Sequence, residues 1–383
     1  MRGVFILEYR SFGKTSLEPS LLGFGCMRLP IVDGDSGKIN EPEAIAMIRH
    51  AIDHGVTYVD TAYPYHKGQS EVVTGRALLD GYREKVLLAT KLPTWLLKEP
   101  SDTERYLNEQ LEKLQTKSID LYLVHALNAN TWKKAQELDV WGHLQKAKDM
   151  GKIKHIGFSF HDKYEIFDEI IDAYHWDFCQ VQYNYMDEDY QAGLKGMRKA
   201  HAKGVAVVVM EPLRGGKLTG NIPEDVAEIW AQSPVKRSPA AWALRYVANQ
   251  PEVSVILSGM SSMEQVKENI EILSSAKPLS LSEDELAAIR QARDVYRQKI
   301  KVLCTDCGYC LPCPQGIAIP RVFSLYNEGA MYNTDASRFY ASMQEQKNDA
   351  SLCVECGQCL AACPQGLPIT DHLKEAHAAL TKK

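Results

Sequence analysis

The chain has 383 residues, 45% of them hydrophobic, and its 44 Lys and Arg against 49 Asp and Glu give a formal net charge of −5 at pH 7. That balance excludes the basic footprint of a nucleic-acid binder and the polybasic patch of a membrane-surface protein, and the hydrophobic content excludes a disordered chain. The longest apolar run, over 205–210, has six residues against the ~20 that cross a bilayer. MRGVFILEYR reaches Glu8 too early for an export signal, so the expectation is a cytoplasmic protein with no nucleic-acid and no membrane partner.

At ~150 residues per domain the length predicts two or three domains. A short hairpin is expected over residues 7–20. From residue 21 onward, β-rich runs at 21–25, 57–60, 86–91, 120–125, 153–159, 178–183, 205–210 and 253–258 alternate with amphipathic stretches at 41–54, 70–79, 103–114, 138–150, 164–173, 194–202, 239–248 and 263–273. Eight strands, each followed by a helix, predict an α/β fold, a (β/α)8 TIM barrel with the hairpin covering its bottom. Ser282-Glu-Asp-Glu has capping-box character and opens a last helix running to about residue 300.

Eight of the ten cysteines then crowd into the last 80 residues. With no export signal, metal is a better reading than a disulfide framework. Cys353-x2-Cys356-x2-Cys359-x3-Cys363-Pro364 has the spacing of bacterial-type [4Fe–4S] ligation, in which three thiolates wrap one cube and the remote fourth closes the other. Cys304-x2-Cys307-x2-Cys310-x2-Cys313-Pro314 repeats it with one residue fewer before the last cysteine. The expectation is two [4Fe–4S] clusters, one on Cys304, Cys307, Cys310 and Cys363, the other on Cys353, Cys356, Cys359 and Cys313. Two structural zinc sites, each held by four cysteines, or unmetallated thiols, are the competing readings, but zinc ribbons supply cysteines in separated pairs. Residues 1–300 are thus expected to form the barrel with its hairpin, and residues 301–383 a small α+β ferredoxin-like iron–sulfur domain. Cys26 and Cys179 read as small buried hydrophobes.

The C-terminal strand ends of such a barrel share one mouth. Strand two ends in Asp60, with Tyr65 in the following loop; strand three ends in Lys91 and strand four in His125. Singly these read as a capping Asp, a surface Lys and a core His. Together they have a chemical logic. A tyrosine, with a pKa of about 10, needs a neighbouring cation to stabilise its phenolate if it is to give up its proton. Lys91 supplies the charge, Asp60 holds Lys91, and His125 directs a carbonyl oxygen toward the Tyr65 hydroxyl. Such a site delivers a proton to a carbonyl oxygen while a hydride reaches the carbon, and because no side chain carries hydride, a nicotinamide cofactor is implied.

GVTYVDTAYPYHKGQSEVVTGRAL, LLATKLP and DLYLVHALN, read with that site, resemble the aldo-keto reductases over roughly residues 8–300. GFGCMRLP and SGMSSMEQVKENI resemble the bacterial and archaeal subgroup with a C-terminal 4Fe–4S ferredoxin-type domain. The resemblance implies a catalytic tetrad of Asp60, Tyr65, Lys91 and His125, with Tyr65 as the acid in reduction of an aldehyde or ketone by NAD(P)H, or the reverse alcohol oxidation. It implies nicotinamide contacts at Ser159, Gln180 and Met210, with Met210 replacing a stacking aromatic and Phe160 replacing an asparagine for which His161 is a candidate substitute. Further cofactor contacts are implied at Gly25, Met27, Arg28 and Leu213, and at Glu268 and Asn269 on the adenine side. Gly259 and Gln265 stand where basic residues grip the adenosine 2′-phosphate, which removes the charge-assisted contacts favouring NADP over NAD. Gly215, Gly216 and Lys217 offer a short loop for pyrophosphate.

The leading expectation is an oxidoreductase acting on a small-molecule carbonyl or alcohol with NAD(P)(H) while carrying two [4Fe–4S] clusters. A second, from the electron-transfer class, is an adaptor coupling one-electron clusters, and a one-electron redox partner, to a two-electron nicotinamide or flavin substrate. The sequence carries no flavin signature and no signal for oligomeric state.

Overall fold

A computed structural model describes residues 7–382. Eight strands, β1 (Leu22–Gly25), β2 (Tyr58–Asp60), β3 (Leu87–Leu92), β4 (Ile119–Leu127), β5 (Ile153–Phe160), β6 (Phe178–Gln182), β7 (Ala206–Met210) and β8 (Val253–Gly259), close in sequence order into a parallel barrel. The helices are α1 (Glu41–Asp53), α2 (Ser70–Ala77), α3 (Asp102–Lys113), α4 (Ala129–Glu137), α5 (Val140–Asp149), α6 (Tyr164–Ala173), α7 (Gly193–Ala202), α8 (Glu224–Gln232), α9 (Pro239–Ala248), α10 (Met263–Leu273), α11 (Glu283–Gln298), α12 (Ile319–Tyr332), α13 (Ser337–Glu345), α14 (Gln358–Ala362) and α15 (Ile369–Leu380). Among the described residues no helix is long and apolar enough to cross a membrane.

The chain divides into two compact units, the described residues up to Gly215 with 240–282, and residues 216–239 with those from Glu283 onward. In the first unit the barrel interior is filled by Tyr58, Leu121, Leu123, Phe178, Val208 and Val255. Gly157 is required opposite Phe178, since a Cβ there would come within 2.6 Å of the Phe178 carbonyl oxygen. At the N-terminal strand ends the interior is stoppered by Phe12, whose ring lies 5.4 Å from that of Phe178. Phe12 is delivered by a hairpin closed by the antiparallel Tyr9–Ser20 bridge and by the Arg10 and Phe12 amides, which donate to Pro19 and Leu17. Arg10 anchors it: the buried guanidinium donates to the carbonyls of Ala248 (2.6 Å), Val253 (2.9 Å), Ala276 (3.1 Å) and Gln250 (3.2 Å). The opposite rim is set by register, with Gly25 beside both Asp60 and Gly259, Lys91 beside Leu123, Ser159 beside Gln180, and Gln182 beside Met210.

The second unit takes in α8 and α11 as well as the cysteine-rich segment, so its compact boundary lies before the residue 300 drawn from sequence. Lys299, 2.7 Å from Asp225, and Arg237, hydrogen-bonded to Glu285, join these elements to one another, while Lys217, 2.8 Å from Glu328, and the Tyr296 ring, 5.2 Å from that of Tyr332, tie them to α12. The cysteine-rich part is helical. Among its described residues there is no strand in place of the expected α+β arrangement. Ile319, Val322 and Phe323 of α12 and Leu373 of α15 form its core, against which Cys304, Cys310, Cys313, Cys353, Cys359 and Cys363 pack.

Arg10→Ala leaves buried carbonyls without donors and is expected to lower barrel stability by about 3 kcal/mol or more, read as a fall in the thermal unfolding midpoint. Arg10→Lys is expected to recover little of it, since an ammonium cannot reproduce the planar fork.

Candidate active site and cysteine clusters

Asp60, at the end of β2, and Lys91, near the end of β3, lie on adjacent strands and form a buried ion pair of 2.5 Å. The Lys91 ammonium donates also to the Thr61 carbonyl (2.7 Å) and to the Tyr65 hydroxyl oxygen (3.4 Å). Burial pulls the ammonium down, but Asp60 and Tyr65 more than offset it, so Lys91 stays charged above its ordinary value. An ammonium only donates, so Tyr65 accepts here and keeps its own proton free for another acceptor. His125 presents its ring edge-to-face to Tyr65, centroids 6.1 Å apart at 80°, and Trp95 covers it at 5.1 Å. Burial, with Lys91 and His161 adding to it, drives the His125 imidazole well below its ordinary value, so the ring is neutral. For Tyr65 the sequence logic needs an adjustment: burial outweighs Lys91 and pushes the phenol up, leaving a protonated acid and not a ready phenolate.

Local chain geometry delivers these groups. Ala126 takes a left-handed φ of 52° at a bulge in β4 directly after His125, and its amide donates to Ser159 Oγ (2.8 Å). Thr94 Oγ1 donates to the His125 carbonyl (2.7 Å). Behind Lys91 sits a buried network that periodicity does not reveal. Glu71 Oε1 accepts from Thr90 (2.7 Å) and Gln110 (2.6 Å), and Gln110 also donates to the Lys91 carbonyl (3.0 Å). It ties α2, which follows Tyr65, to the strand that carries Lys91. Cys26 is buried nearby, and burial pushes its thiol up to about 12; burial likewise raises Cys179.

The remaining candidates separate into groups. Gln180 Oε1 and His125 Nδ1 are buried with no hydrogen-bond partner among the described residues, the unmet capacity that a bound carboxamide or carbonyl would use. Gln180 Nε2 lies 3.5 Å from Met210 Sδ, and the Ser159 hydroxyl hydrogen is free to donate, so these residues fit an amide-bearing ring. Phe160 is turned to packing, edge-on to Phe167 of α6 at 5.3 Å, and His161 is exposed, 3.5 Å from the Gln191 amide. Arg28 crosses Gly259, where a Cβ would meet its Cγ and Cδ at 3.1 Å, and its Nη2 lies 3.1 Å from a Cβ position on Gly215. Positions 28, 215 and 259 therefore converge. Gln265 Oε1 is occupied by the Ser261 amide (2.7 Å), and Asn269 is buried and tied to Ser258 Oγ (2.9 Å). Met27 and Glu268 are exposed, Leu213 is half-buried, Gly25 is buried, and Lys217 is held by Glu328.

The family model of the aldo/keto reductase family matches residues 21–294. The chain belongs to the aldo/keto reductase family. A second family model, a 4Fe–4S dicluster domain, matches residues 303–368, so this aldo-keto reductase carries such a domain at its C-terminal end. It is similar to L-galactose dehydrogenase of Arabidopsis thaliana, 28% identical over 74% of this chain and 93% of the relative. It is also similar to Protein tas of Escherichia coli K12, 26% identical over 76% of this chain and 99% of the relative. Among solved structures, the holo form of aldo-keto reductase AKR11C1 from Bacillus halodurans matches at 26% identity with a TM-score of 0.62, covering 75% of this chain and 96% of that one.

In the dicluster domain of this aldo-keto reductase the thiols fall into two sets. Cys304, Cys307, Cys310 and Cys363 line one small cavity, walled by Ile319 and Phe323 and bearing no other charged donor. Cys359 lies within electrostatic reach of Cys353, Cys356 and Cys313. Each set is three thiols of one block with the last cysteine of the other, a donor set that fits a cube of iron and sulfide.

Lys91→Met leaves the Asp60 carboxylate buried without its cation and is expected to cost about 3–5 kcal/mol in thermal unfolding. Adding Asp60→Asn to that variant is expected to recover the larger part, which a purely volumetric effect of the lysine would not allow.

Proposed function

We propose that this aldo-keto reductase interconverts an aldehyde or ketone with its alcohol at the Asp60–Tyr65–Lys91–His125 site, using NAD(P)(H). The reading rests on one observation above others, the charged Lys91 donating to a Tyr65 oxygen whose own proton is free. A nicotinamide, when bound, supplies or accepts the hydride. Ser159 and Gln180 would hold its carboxamide, Met210 would lie against its ring and Arg28 would meet its phosphates. His125, neutral, donates to the substrate carbonyl oxygen and orients it toward Tyr65. The Tyr65 proton passes to that oxygen as negative charge develops there, and Lys91 stabilises the phenolate left behind. Trp95 excludes water beside His125. The L-galactose dehydrogenase relative supports reading the reaction in the alcohol-oxidising direction as well.

We assign two [4Fe–4S] clusters to the C-terminal domain, one on Cys304, Cys307, Cys310 and Cys363 and one on Cys353, Cys356, Cys359 and Cys313, with a functional boundary near residue 300. The electron-transfer reading keeps one supporting observation: Cys307 and Cys356 are exposed, which gives a one-electron partner access to each cluster.

Tyr65→Phe is expected to lower kcat for carbonyl reduction by about 10²–10⁴ while nucleotide affinity and iron content hold. A variant with undiminished turnover would remove the assignment. Because burial keeps His125 neutral, the pH profile of kcat/KM is expected to show no inflection near the ordinary imidazole value of 6.5. Cys363→Ser is expected to halve the iron content from about eight per chain to about four, by metal analysis of anaerobically purified protein; zinc in place of iron would contradict the cluster assignment.

A further inference from the structure

On the barrel face opposite the tetrad, the N-terminal ends of β5, β6 and β7 border a cavity of about 690 Å³, within the range of small-molecule sites. None of the groups lining it serves the chemistry described above. One wall is aromatic. Trp141 and Tyr174 stack in parallel, centroids 4.4 Å apart at 5°, and Trp176 meets them edge-on at 5.3 and 5.6 Å. The other wall is cationic, with Lys14, Lys148, Lys154 and Lys203 facing two carboxylates, Asp172 and Asp177.

Both carboxylates are already committed. Asp177 accepts from the Ile156 amide (2.9 Å) and from Lys148 (3.2 Å), with His155 at 3.6 Å. Asp172 is shared by Lys199 (2.6 Å) and Lys203 (2.7 Å). Lys154 is paired outside the cavity with Asp120 at 2.8 Å. Lys14 has no ion pair among the described residues, and its placement is built in. Its amide donates to the Gly204 carbonyl (2.9 Å), and its stem lies where any side chain at position 204 would stand, since a Cβ there would come within 2.3–2.6 Å of Lys14 Cε, Cγ and Cδ. Glycine at 204, with φ of +72°, lets the lysine lie across the cavity floor. The site thus offers a flat apolar surface beside an excess of positive charge with one uncompensated ammonium.

We infer that this cleft is a second ligand site, separate from the catalytic mouth, for a small aromatic anion whose ring packs against the cavity side of the Trp141–Tyr174 stack and whose carboxylate or phosphate meets Lys14. Aromatic surface and unpaired cation together select for that combination. An aromatic acid and a nucleoside monophosphate share this chemistry.

Calorimetric titration of the full-length, cluster-loaded protein under anaerobic conditions tests it, with indole-3-carboxylate, adenosine 5′-monophosphate, neutral indole and inorganic phosphate as probes. At least one of the two aromatic anions is expected to bind saturably at one site per chain, and indole and phosphate at least about tenfold more weakly, a difference of about 1.4 kcal/mol. The tighter of the two anions identifies the source. Lys14→Glu, a change on the exposed hairpin surface, is expected to weaken that binding about tenfold or more with carbonyl reduction unchanged, and Trp141→Leu to weaken it similarly. Absence of saturable binding by both anions, equal binding of neutral indole, or affinity that survives Lys14→Glu would overturn the inference.

Discussion

The ion pair between Lys91 and Asp60 is the constraint around which the C-terminal strand ends of the barrel are organised. A full positive charge in a dry interior is tolerated only with a partner in near-ideal geometry and its other hydrogens satisfied. Adjacent parallel strands meet that demand: β2 supplies the carboxylate, the residue after it supplies the Thr61 carbonyl, β3 supplies the ammonium, and the register between the strands is fixed. With those contacts made, one direction of the ammonium remains, and it is filled by the Tyr65 oxygen. The phenolic hydrogen is left for a substrate, and His125 is kept neutral beside it by the same burial and the same cation.

That arrangement needs support from outside the tetrad. The buried Glu71–Gln110–Thr90 network holds the Lys91 carbonyl and the neighbouring Thr90 side chain and joins them to the helix that follows Tyr65. At the other end of the barrel, Arg10 and Phe12 close the bottom so that the strands enclose a packed core. The barrel interior is thereby closed at one end, while the other presents polar groups whose hydrogen-bonding capacity is unfilled among the described residues.

Much of this was legible in the sequence because it is local. The eight strand positions follow from short β-rich runs, and the meeting of Asp60, Tyr65, Lys91 and His125 follows from polar residues at or just after the ends of those strands. The cysteine spacing implies crossed ligand sets, and Cys363 lines the same small cavity as Cys304, Cys307 and Cys310. Long-range packing was less visible. Helix α4 follows β4 through a capping box between Asn128 and Thr131, and α11 meets α12 through the Tyr296 and Tyr332 rings, 5.2 Å apart and from residues distant in sequence. Glu71 stands within a motif, but only the fold shows what it touches. The direction of the Tyr65 shift was also hidden, because it is decided by the depth of burial and not by the nearest charge.

On the proposed function, a hydride moves two electrons together in the barrel, whereas an iron–sulfur cube moves one at a time, and the barrel completes its reaction without drawing on iron. An anaerobic single turnover, with nucleotide deuterated at C4 of the nicotinamide and an aromatic aldehyde, tests this most directly when cluster absorption is followed alongside the mass of the alcohol. Deuterium on the carbinol carbon and an unchanged visible spectrum are expected. Unlabelled alcohol formed as the clusters bleach would contradict it, and would make the barrel an entry point for electrons that travel through the iron.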